Sequence, residues 1–324
     1  MSRKLKIVLG PHGQVADLRS GVVPVEGLDL DFIEVKRMPD AYRDMARSQP
    51  YDICELAPTT YLMALAAGAP ITALPIPMTR RFRHRGLLKR KDDAAIAGPK
   101  DLEGRRVGVR TYSVTAAVWT RGVFAEDYGL DLGSITWMVA EDDNDASFVP
   151  PKNVGKIGAG ETIAGLMREG ALAAAFDGLA GIGGHNDGEF VDVVSDAAAR
   201  EVDWYRRTRI YPIHGVIALR NDVIEADPDI GRRLFAAFSE AKANYWARVE
   251  SGAADGAEDQ RYRKLAALVG DPLPYGLDEN AETLEALVRF TRDQGLVRDG
   301  AAASIATLFP DPRDPKAPPL AAWS

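Results

Sequence analysis

Short apolar segments alternate with amphipathic helical segments over about the first 210 residues of this 324-residue chain. Apolar runs such as Ile71–Ile76 have the length of strands, and the segments between them carry apolar residues at helical spacing. Strands that alternate with helices are typical of parallel sheets covered by helices. The pattern therefore predicts an α/β protein whose last third is mostly helix.

The length is sufficient for two domains of ordinary size. We predict two lobes with a ligand cleft between them, because open α/β sheets bind ligands beyond the carboxyl ends of their strands. Lobe 1 would be discontinuous, with residues 1–107 and 213–324, and lobe 2 would contain residues 108–212. The chain would cross between the lobes near residues 105–108 and 211–215.

Charge and cysteine content narrow the class of protein. A formal net charge of −7 argues against a nucleic-acid-binding scaffold. The single cysteine, Cys54, excludes an intrachain disulfide framework and a cysteine-based zinc site. The apolar run Ile7–Leu9 is too short for a signal-peptide core, and no stretch approaches the length of a membrane span. We therefore expect a cytoplasmic protein with neither nucleic acid nor a membrane as its partner.

Two strand-to-helix junctions carry hydroxyl side chains. The strand Val107–Val109 leads through Arg110 to Thr111, Ser113 and Thr115, and Ser113 is a candidate N-cap. Thr59 opens a second helix after the strand Tyr51–Leu56. Neither helix has an acid in its first turn, and such a helix start is suited to binding an anion. The alternative is that these hydroxyls only cap ordinary helices.

An arginine-rich segment at residues 80–85 separates two apolar runs. For a charge run the ordinary interpretation is a solvated loop. If the flanking runs at 73–76 and 86–88 are paired strands, Arg81 and Arg83 share one face, with His84 on the other side. Two arginines on one face are suited to a carboxylate or a phosphate.

Three further positions are candidates for a site. His12 lies in a loop directly after the first strand, Asp177 precedes a glycine at the end of a buried strand, and His214 lies within a β run. An acidic loop at 141–145 suggests a metal site or, as its alternative, a solvated turn. The spacing of these residues does not define a metal site.

Five segments between residues 51 and 222 carry a family resemblance. They are YDICELAPTTY at 51–61, PIPMTRRFRHRGLL at 75–88, GVRTYSVTAAVWTRGVFAEDYGLDLGSITWMVAEDD at 108–143, PPKN at 150–153 and RIYPIHGVIALRND at 209–222. In these segments the chain resembles the 4,5-dihydroxyphthalate decarboxylase family, which has a two-lobed type II periplasmic-binding-protein-like fold. It differs from the common family pattern at two positions. Arg85 stands where the family commonly shows a polar residue, and Gly215 stands where a second histidine is frequent. The sequence is therefore also compatible with a different aromatic acid as the substrate.

The resemblance implies decarboxylation of a hydroxylated aromatic (di)carboxylate such as 4,5-dihydroxyphthalate, by ring protonation and CO₂ loss. We predict His84 or His214 as the general acid, because histidine titrates near neutral pH, with His12 as a third candidate. Glu55 or Asp177 would orient a ring hydroxyl. The predicted substrate-binding residues are His12, Thr59, Arg81, Arg83, Thr111, Ser113, Thr115 and Asp177.

Two alternatives stay open from the sequence. The first is a substrate-binding protein of an ABC transporter for an aromatic acid or a sulfonate. The second is a cofactor-biosynthesis enzyme that acts on a nucleoside-like or pyrimidine substrate, which the paired arginines favour less. No cofactor is predicted, a dependence on a divalent metal stays open, and the oligomeric state, including a homo-oligomer, is not defined by the sequence.

Overall fold

The computed structural model describes residues 3–183, 188–297 and 303–314. Contacts divide the chain into two compact units. Unit 1 contains residues 1–80, 213–285 and 300–324, and unit 2 contains residues 81–212 and 286–299. Among the described residues, no helix combines the length and the apolar character that crossing a membrane requires.

Within the described ranges the strands are numbered in chain order. They are β1 (Arg3–Val8), β2 (Leu28–Phe32), β3 (Ile53–Leu56), β4 (Ile71–Arg80), β5 (Leu87–Arg90), β6 (Arg106–Val109), β7 (Thr136–Val139), β8 (Val154–Lys156), β9 (Ala174–Phe176), β10 (Phe190–Asp192) and β11 (Ile213–Arg220). The α-helices are α1 (Ala16–Arg19), α2 (Met38–Arg47), α3 (Pro58–Ala66), α4 (Thr115–Tyr128), α5 (Ile163–Arg168), α6 (Ala197–Thr208), α7 (Asn221–Glu225), α8 (Ile230–Ser251), α9 (Ala257–Val269), α10 (Ala281–Asp293) and α11 (Ile305–Leu308).

Unit 1 is built on a sheet with the strand order β2-β1-β3-β11-β4. Strands β1, β2 and β3 are parallel, whereas β11 is antiparallel to both of its neighbours. The apolar side chains of this sheet form one core with α8, through residues such as Ile7, Ile217, Leu234 and Phe238. Each such side chain stabilises the fold by about 1.5–3 kcal/mol when it is removed from water.

Unit 2 is built on a sheet with the strand order β10-β5-β9-β6-β7-β8. Strands β9, β6, β7 and β8 are parallel, and β5 is antiparallel to β9 and β10. Gly108 in β6 permits close packing, because a Cβ atom there would lie 2.8 Å from both Ile163 and Leu172. The alternation in the sequence therefore corresponds to two mostly parallel sheets.

The first boundary between the units lies earlier in the chain than the boundary of the predicted lobes. We predicted lobe 1 to extend to residue 107, whereas the structure assigns the chain from Arg81 onward to unit 2. The reason is strand pairing, because β5 lies between β9 and β10, with Leu87 opposite Phe176. Residues 286–299 also belong to unit 2, where the ring of Phe290 packs against Gly122.

The proposed pairing of the apolar runs at 73–76 and 86–88 is wrong. The first run belongs to β4 and pairs with β11, whereas Leu87 and Leu88 belong to β5 of the other sheet, between β9 and β10. The inference that Arg81 and Arg83 share one face of paired strands therefore loses its basis, because both residues lie in the connection after β4.

Candidate active site

Glu55 is a buried carboxylate at the end of β3 in unit 1. Its residue is only 2% exposed, and it lies opposite Ile217 of β11. Residues that are diagonal across antiparallel strands share a face of the sheet, which brings Glu55 beside Gly215. Because β1 runs parallel to β3, the loop that follows β1 reaches the same end of the sheet.

Two hydrogen bonds hold one oxygen of this carboxylate. The backbone N–H of Gly10 donates to Oε2 of Glu55 at 2.8 Å. The imidazole Nε2 of His12 lies 2.8 Å from the same oxygen. The side chain of His12 retains 24% of its exposed surface, whereas that of Glu55 retains 3%. A buried carboxyl group is thus joined to an imidazole ring that is partly exposed to solvent.

The pKa of His12 is raised above its ordinary value of 6.5. Burial is the largest single influence and lowers this pKa, but the charge of Glu55 and its hydrogen bond raise it by more in sum. Arg19 has a smaller lowering effect, and Glu258 a smaller raising one. His12 therefore keeps its proton to a higher pH than a solvated histidine does.

His214, a predicted general acid, lies at an irregularity of the sheet in unit 1. The pairing of β11 with β4 shifts register between Ile213 and Gly215, and again between Gly215 and Ile217. Bulges of this kind redirect side chains and occur often next to active sites. His214 is half-buried there, one residue from the glycine that borders Glu55.

The helix starts of α3 and α4 differ from the predicted anion sites. Ser113 is not the N-cap of α4, since the helix begins at Thr115 and Val114 occupies the cap position without a side-chain bond. The backbone N–H of Ser113 donates instead to Oδ1 of Asp143 at 2.8 Å. The start of this helix therefore binds a carboxylate of its own chain.

The other predicted hydroxyls are buried. Thr111 and Thr115 are 3% and 4% exposed, and Thr59 is fully buried in α3, where Ala57 occupies the cap position without a side-chain bond. Burial raises the pKa of Asp143, against the lowering effect of its hydrogen bonds with Ser113. The acidic loop at 141–145 thus contributes a ligand for the protein's own helix.

Asp177 in unit 2 lies within electrostatic range of both Arg81 and Arg83. Burial raises the pKa of Asp177, whereas Arg83 and, less strongly, Arg81 lower it. A cavity of about 670 Å³ lies beside strands β5 and β10 of this unit. It is lined by side chains of both charge signs and by apolar ones, among them Arg85, Leu88, Lys89, Asp177, Phe190 and Asp192.

Glu201 near this cavity is a titratable group that the sequence did not indicate. Burial raises its pKa to about 7, although Arg85, 3.8 Å away, lowers it. The residue lies in the first part of α6, whose acids and arginines resemble an ordinary solvated helix in the sequence. Among the described residues, no cluster of three or more His, Cys, Asp or Glu side chains is arranged to hold a metal ion.

His84, the other predicted general acid, lies in the interior of unit 2. Its side chain has no exposed surface, and Nε2 lies 3.1 Å from Oδ2 of Asp127. The rings of Trp204 and Tyr128 pack against it at 5.9 and 6.3 Å. Burial lowers the pKa of His84, and the raising effect of Asp127 does not compensate for it.

This lowered pKa predicts a pH dependence of stability. A histidine whose folded pKa lies below 6.5 leaves stability unaffected above that pH and reduces it as the pH falls. We expect the stability of the wild type to decrease by up to about 1.4 kcal/mol per pH unit on this account. The His84→Phe variant should lack that part of the slope. Urea unfolding between pH 7.5 and 5.5 checks this, and equal slopes in the two proteins would contradict it.

The chain has a relative of known name over most of its length. It is 30% identical over 314 residues to a 4,5-dihydroxyphthalate decarboxylase from Comamonas testosteroni, with 90% of this chain and 92% of the relative covered. The chain belongs to the 4,5-dihydroxyphthalate decarboxylase family. This confirms the resemblance inferred from the five segments. Residues 24–151 of this family member also match the family described as NMT1/THI5 like.

Solved structures show the fold of this decarboxylase family member. The periplasmic aliphatic sulphonate binding protein SsuA from Escherichia coli is 13% identical and has a TM-score of 0.54, over 92% of this chain and 95% of that chain. The desulfurization enzyme DSZB is 16% identical and has a TM-score of 0.52, over 93% of this chain and 94% of that chain. The predicted α/β fold of the periplasmic-binding-protein type is confirmed. A binding protein and an enzyme share it, so the fold alone does not separate the two.

Proposed function

We propose that the protein is a carboxy-lyase that removes CO₂ from a hydroxylated aromatic carboxylate, with 4,5-dihydroxyphthalate as the first candidate. The hydrogen-bonded pair of His12 and Glu55 is the observation that carries this proposal. It supplies a proton donor in a chain whose relatives are named for this decarboxylation.

The proposed step is a proton transfer to the ring. The imidazolium of His12 donates a proton to the ring carbon that bears the departing carboxylate, and the electron pair for the new C–H bond comes from the ring. In 4,5-dihydroxyphthalate each of the two ring carbons that bear a carboxylate has a hydroxyl group para to it. This hydroxyl group stabilises the positive charge that protonation places on the ring. The C–C bond to the carboxylate then breaks, CO₂ leaves, and the bonding electrons restore the aromatic ring. His12 regains its proton from water.

In this proposal Glu55 stabilises the protonated form of His12. Its carboxylate accepts from Nε2–H, so the second N–H of the imidazolium, at Nδ1, is the one directed to the substrate. A general acid is most effective when its pKa lies near the working pH. The raised pKa of His12 increases the fraction of its acid form relative to a solvated histidine.

His12 replaces His84 as our preferred proton donor. The ring of His84 has no exposed surface, and its lowered pKa favours the neutral form. His214 keeps its place as the second candidate, because it is half-buried at the irregular part of β11.

A turnover assay tests the proposed reaction. We expect the purified protein to convert 4,5-dihydroxyphthalate into 3,4-dihydroxybenzoate and CO₂, measured by chromatography, with a kcat in the range of about 1–1,000 s⁻¹ that is typical of enzymes. Phthalate, which lacks the activating hydroxyls, is the matched control and should not react. Parallel reactions with added Mg²⁺ or Mn²⁺ and with a chelator decide the metal dependence.

The rival function predicts a different result in the same samples. A binding protein would be stabilised by the aromatic acid in a thermal-shift measurement, since a ligand that binds only the folded state stabilises it by mass action. It would form no 3,4-dihydroxybenzoate with or without metal. That combination would replace the decarboxylase proposal with the binding-protein alternative.

A further inference from the structure

Two glycines border the carboxylate of Glu55 in unit 1. A Cβ atom at Gly215 would lie 2.6 Å from Oε1 of Glu55 and 3.3 Å from its Cδ. A Cβ atom at Gly10 would lie 2.6 Å from Nε2 of His12 and 3.0 Å from Oε2 of Glu55. The carboxylate therefore occupies a narrow slot, here called the glycine slot, between the backbones of Gly10 and Gly215.

We propose that Gly215 is a positioning residue for the proton-donating pair, because its missing side chain leaves the space from which Glu55 reaches His12. This inference rests on the proposed function of His12 and Glu55, and it adds a residue that touches neither the substrate nor the proton.

The neighbours of Gly215 distinguish this role from ordinary tight packing. A Cβ atom at Gly181 would lie 2.0 Å from the backbone oxygen of Phe176, and one at Gly122 would lie 2.2 Å from the ring of Phe290. Those neighbours cannot easily move. At Gly215 the nearest atom is instead the end of a flexible side chain, with the Cβ atom of Met78 next at 3.2 Å. An alanine there displaces the Glu55 carboxylate first, and the Cβ atom of Met78 has to give by only a few tenths of an ångström.

The sheet is irregular beside the slot, and groups outside its strands bind the irregular part of β4. The register of β11 against β4 shifts on both sides of this residue, which leaves part of β4 without regular strand pairing. The side chain of Gln14 donates to the carbonyl of Met78 at 2.6 Å, and the N–H of Gly276 donates to the carbonyl of Pro75 at 2.8 Å. Groups outside the strands thus satisfy the irregular segment.

Gly215→Ala is expected to break the hydrogen bond between Glu55 and His12. Displacement of Oε1 rotates or withdraws the carboxylate, and His12 loses the neighbour that raises its pKa. The burial that lowers this pKa remains. We therefore expect the His12 pKa to fall by at least about one unit, because an anion in hydrogen-bond contact shifts a pKa by about 1–3 units.

The experiment measures this pKa directly by NMR titration of the histidine ring protons, with the His12 signal assigned by its absence in His12→Gln. Gly215→Ala should lower the pKa of His12 and reduce kcat by at least tenfold at neutral pH. Gly98→Ala is the matched control, since a Cβ atom there meets nothing within 4 Å, and it should change neither value. Gly10→Ala is a second test, because its Cβ atom meets His12 itself.

A double variant identifies the route of the effect. If Gly215 acts through Glu55, Gly215→Ala combined with Glu55→Gln should have the same His12 pKa and the same kcat as Glu55→Gln alone. An unchanged His12 pKa in folded Gly215→Ala and Gly10→Ala would overturn the positioning role, whatever the activity of the wild type. Absence of turnover in the wild type together with a lowered pKa in both variants would instead remove the proposed reaction and leave the positioning role standing.

Discussion

The Glu55→Gln variant is expected to lose about 10²- to 10⁴-fold in kcat for the decarboxylation of 4,5-dihydroxyphthalate, the range that general acid catalysis contributes. The glutamine retains the shape of the side chain and an oxygen for the Gly10 N–H. It lacks the negative charge that keeps a proton on His12. Glu34→Gln, an exposed change on the same unit with an 83% exposed side chain, is the matched control and should retain full activity.

The pH dependence of kcat should also change in a defined direction in this variant. In the proposed mechanism His12 acts in its protonated form, so kcat of the wild type should fall only as the pH rises through a value above 6.5. In Glu55→Gln the same fall should occur at a lower pH, because burial then acts on His12 without the opposing anion. An unshifted profile would contradict the assignment. Loss of activity in Glu201→Gln with full activity in Glu55→Gln would place the proton donor at the unit 2 cavity.

The Arg121→Ala variant is expected to lose about 3–5 kcal/mol of unfolding free energy. Arg121 is 1% exposed in α4, and its guanidinium lies 4.0 Å from the centre of the Tyr112 ring. It donates to the side-chain oxygen of Gln294 and to the carbonyl of Tyr112, both at 2.6 Å. Alanine would leave a cavity and two buried acceptors without their donor. Urea unfolding at pH 7 measures the loss.

Arg121→Met separates the two parts of that loss. Methionine fills most of the volume but cannot donate, and it removes a buried charge whose desolvation is costly. Burial already lowers the pKa of Arg121, which shows the direction of this cost. We expect Arg121→Met to be less destabilised than Arg121→Ala by about 1–2 kcal/mol. Equal losses would mean that the hydrogen bonds to Gln294 and Tyr112 outweigh the packing.

The sequence was sufficient for the architecture because hydrophobic periodicity is local. The strand Val107–Val109 and the helix that follows Pro58 lie where their apolar patterns indicated. The position of β5 was not predictable in this way, because its antiparallel partner β9 begins more than 80 residues later. Strand order depends on packing between distant segments, and this chain's apolar runs are similar enough to allow several orders.

The candidate site was predictable in its residue types and less in its pairing. Glu55 and His12 were both candidates, but they are 43 residues apart, and only the parallel pairing of β1 and β3 brings them together. His84 was chosen from a motif that resembles the family, yet Trp204 and Tyr128 enclose it. The sequence marked Gly215 only as a departure from the family pattern, since the absence of a side chain gains meaning only from the carboxylate beside it.

Asp143 has a consequence for the response of the protein to dissolved anions. Because its carboxylate is tethered close to the Ser113 N–H, it competes with any free anion at a high effective concentration. For short flexible tethers that concentration is already in the range of about 1 mM, and a folded loop raises it further. Phosphate or sulfate at concentrations below about 1 mM would therefore not displace Asp143 from the start of α4. The protein's own carboxylate occupies this anion site, and the helix start does not respond to the ionic composition of the solvent.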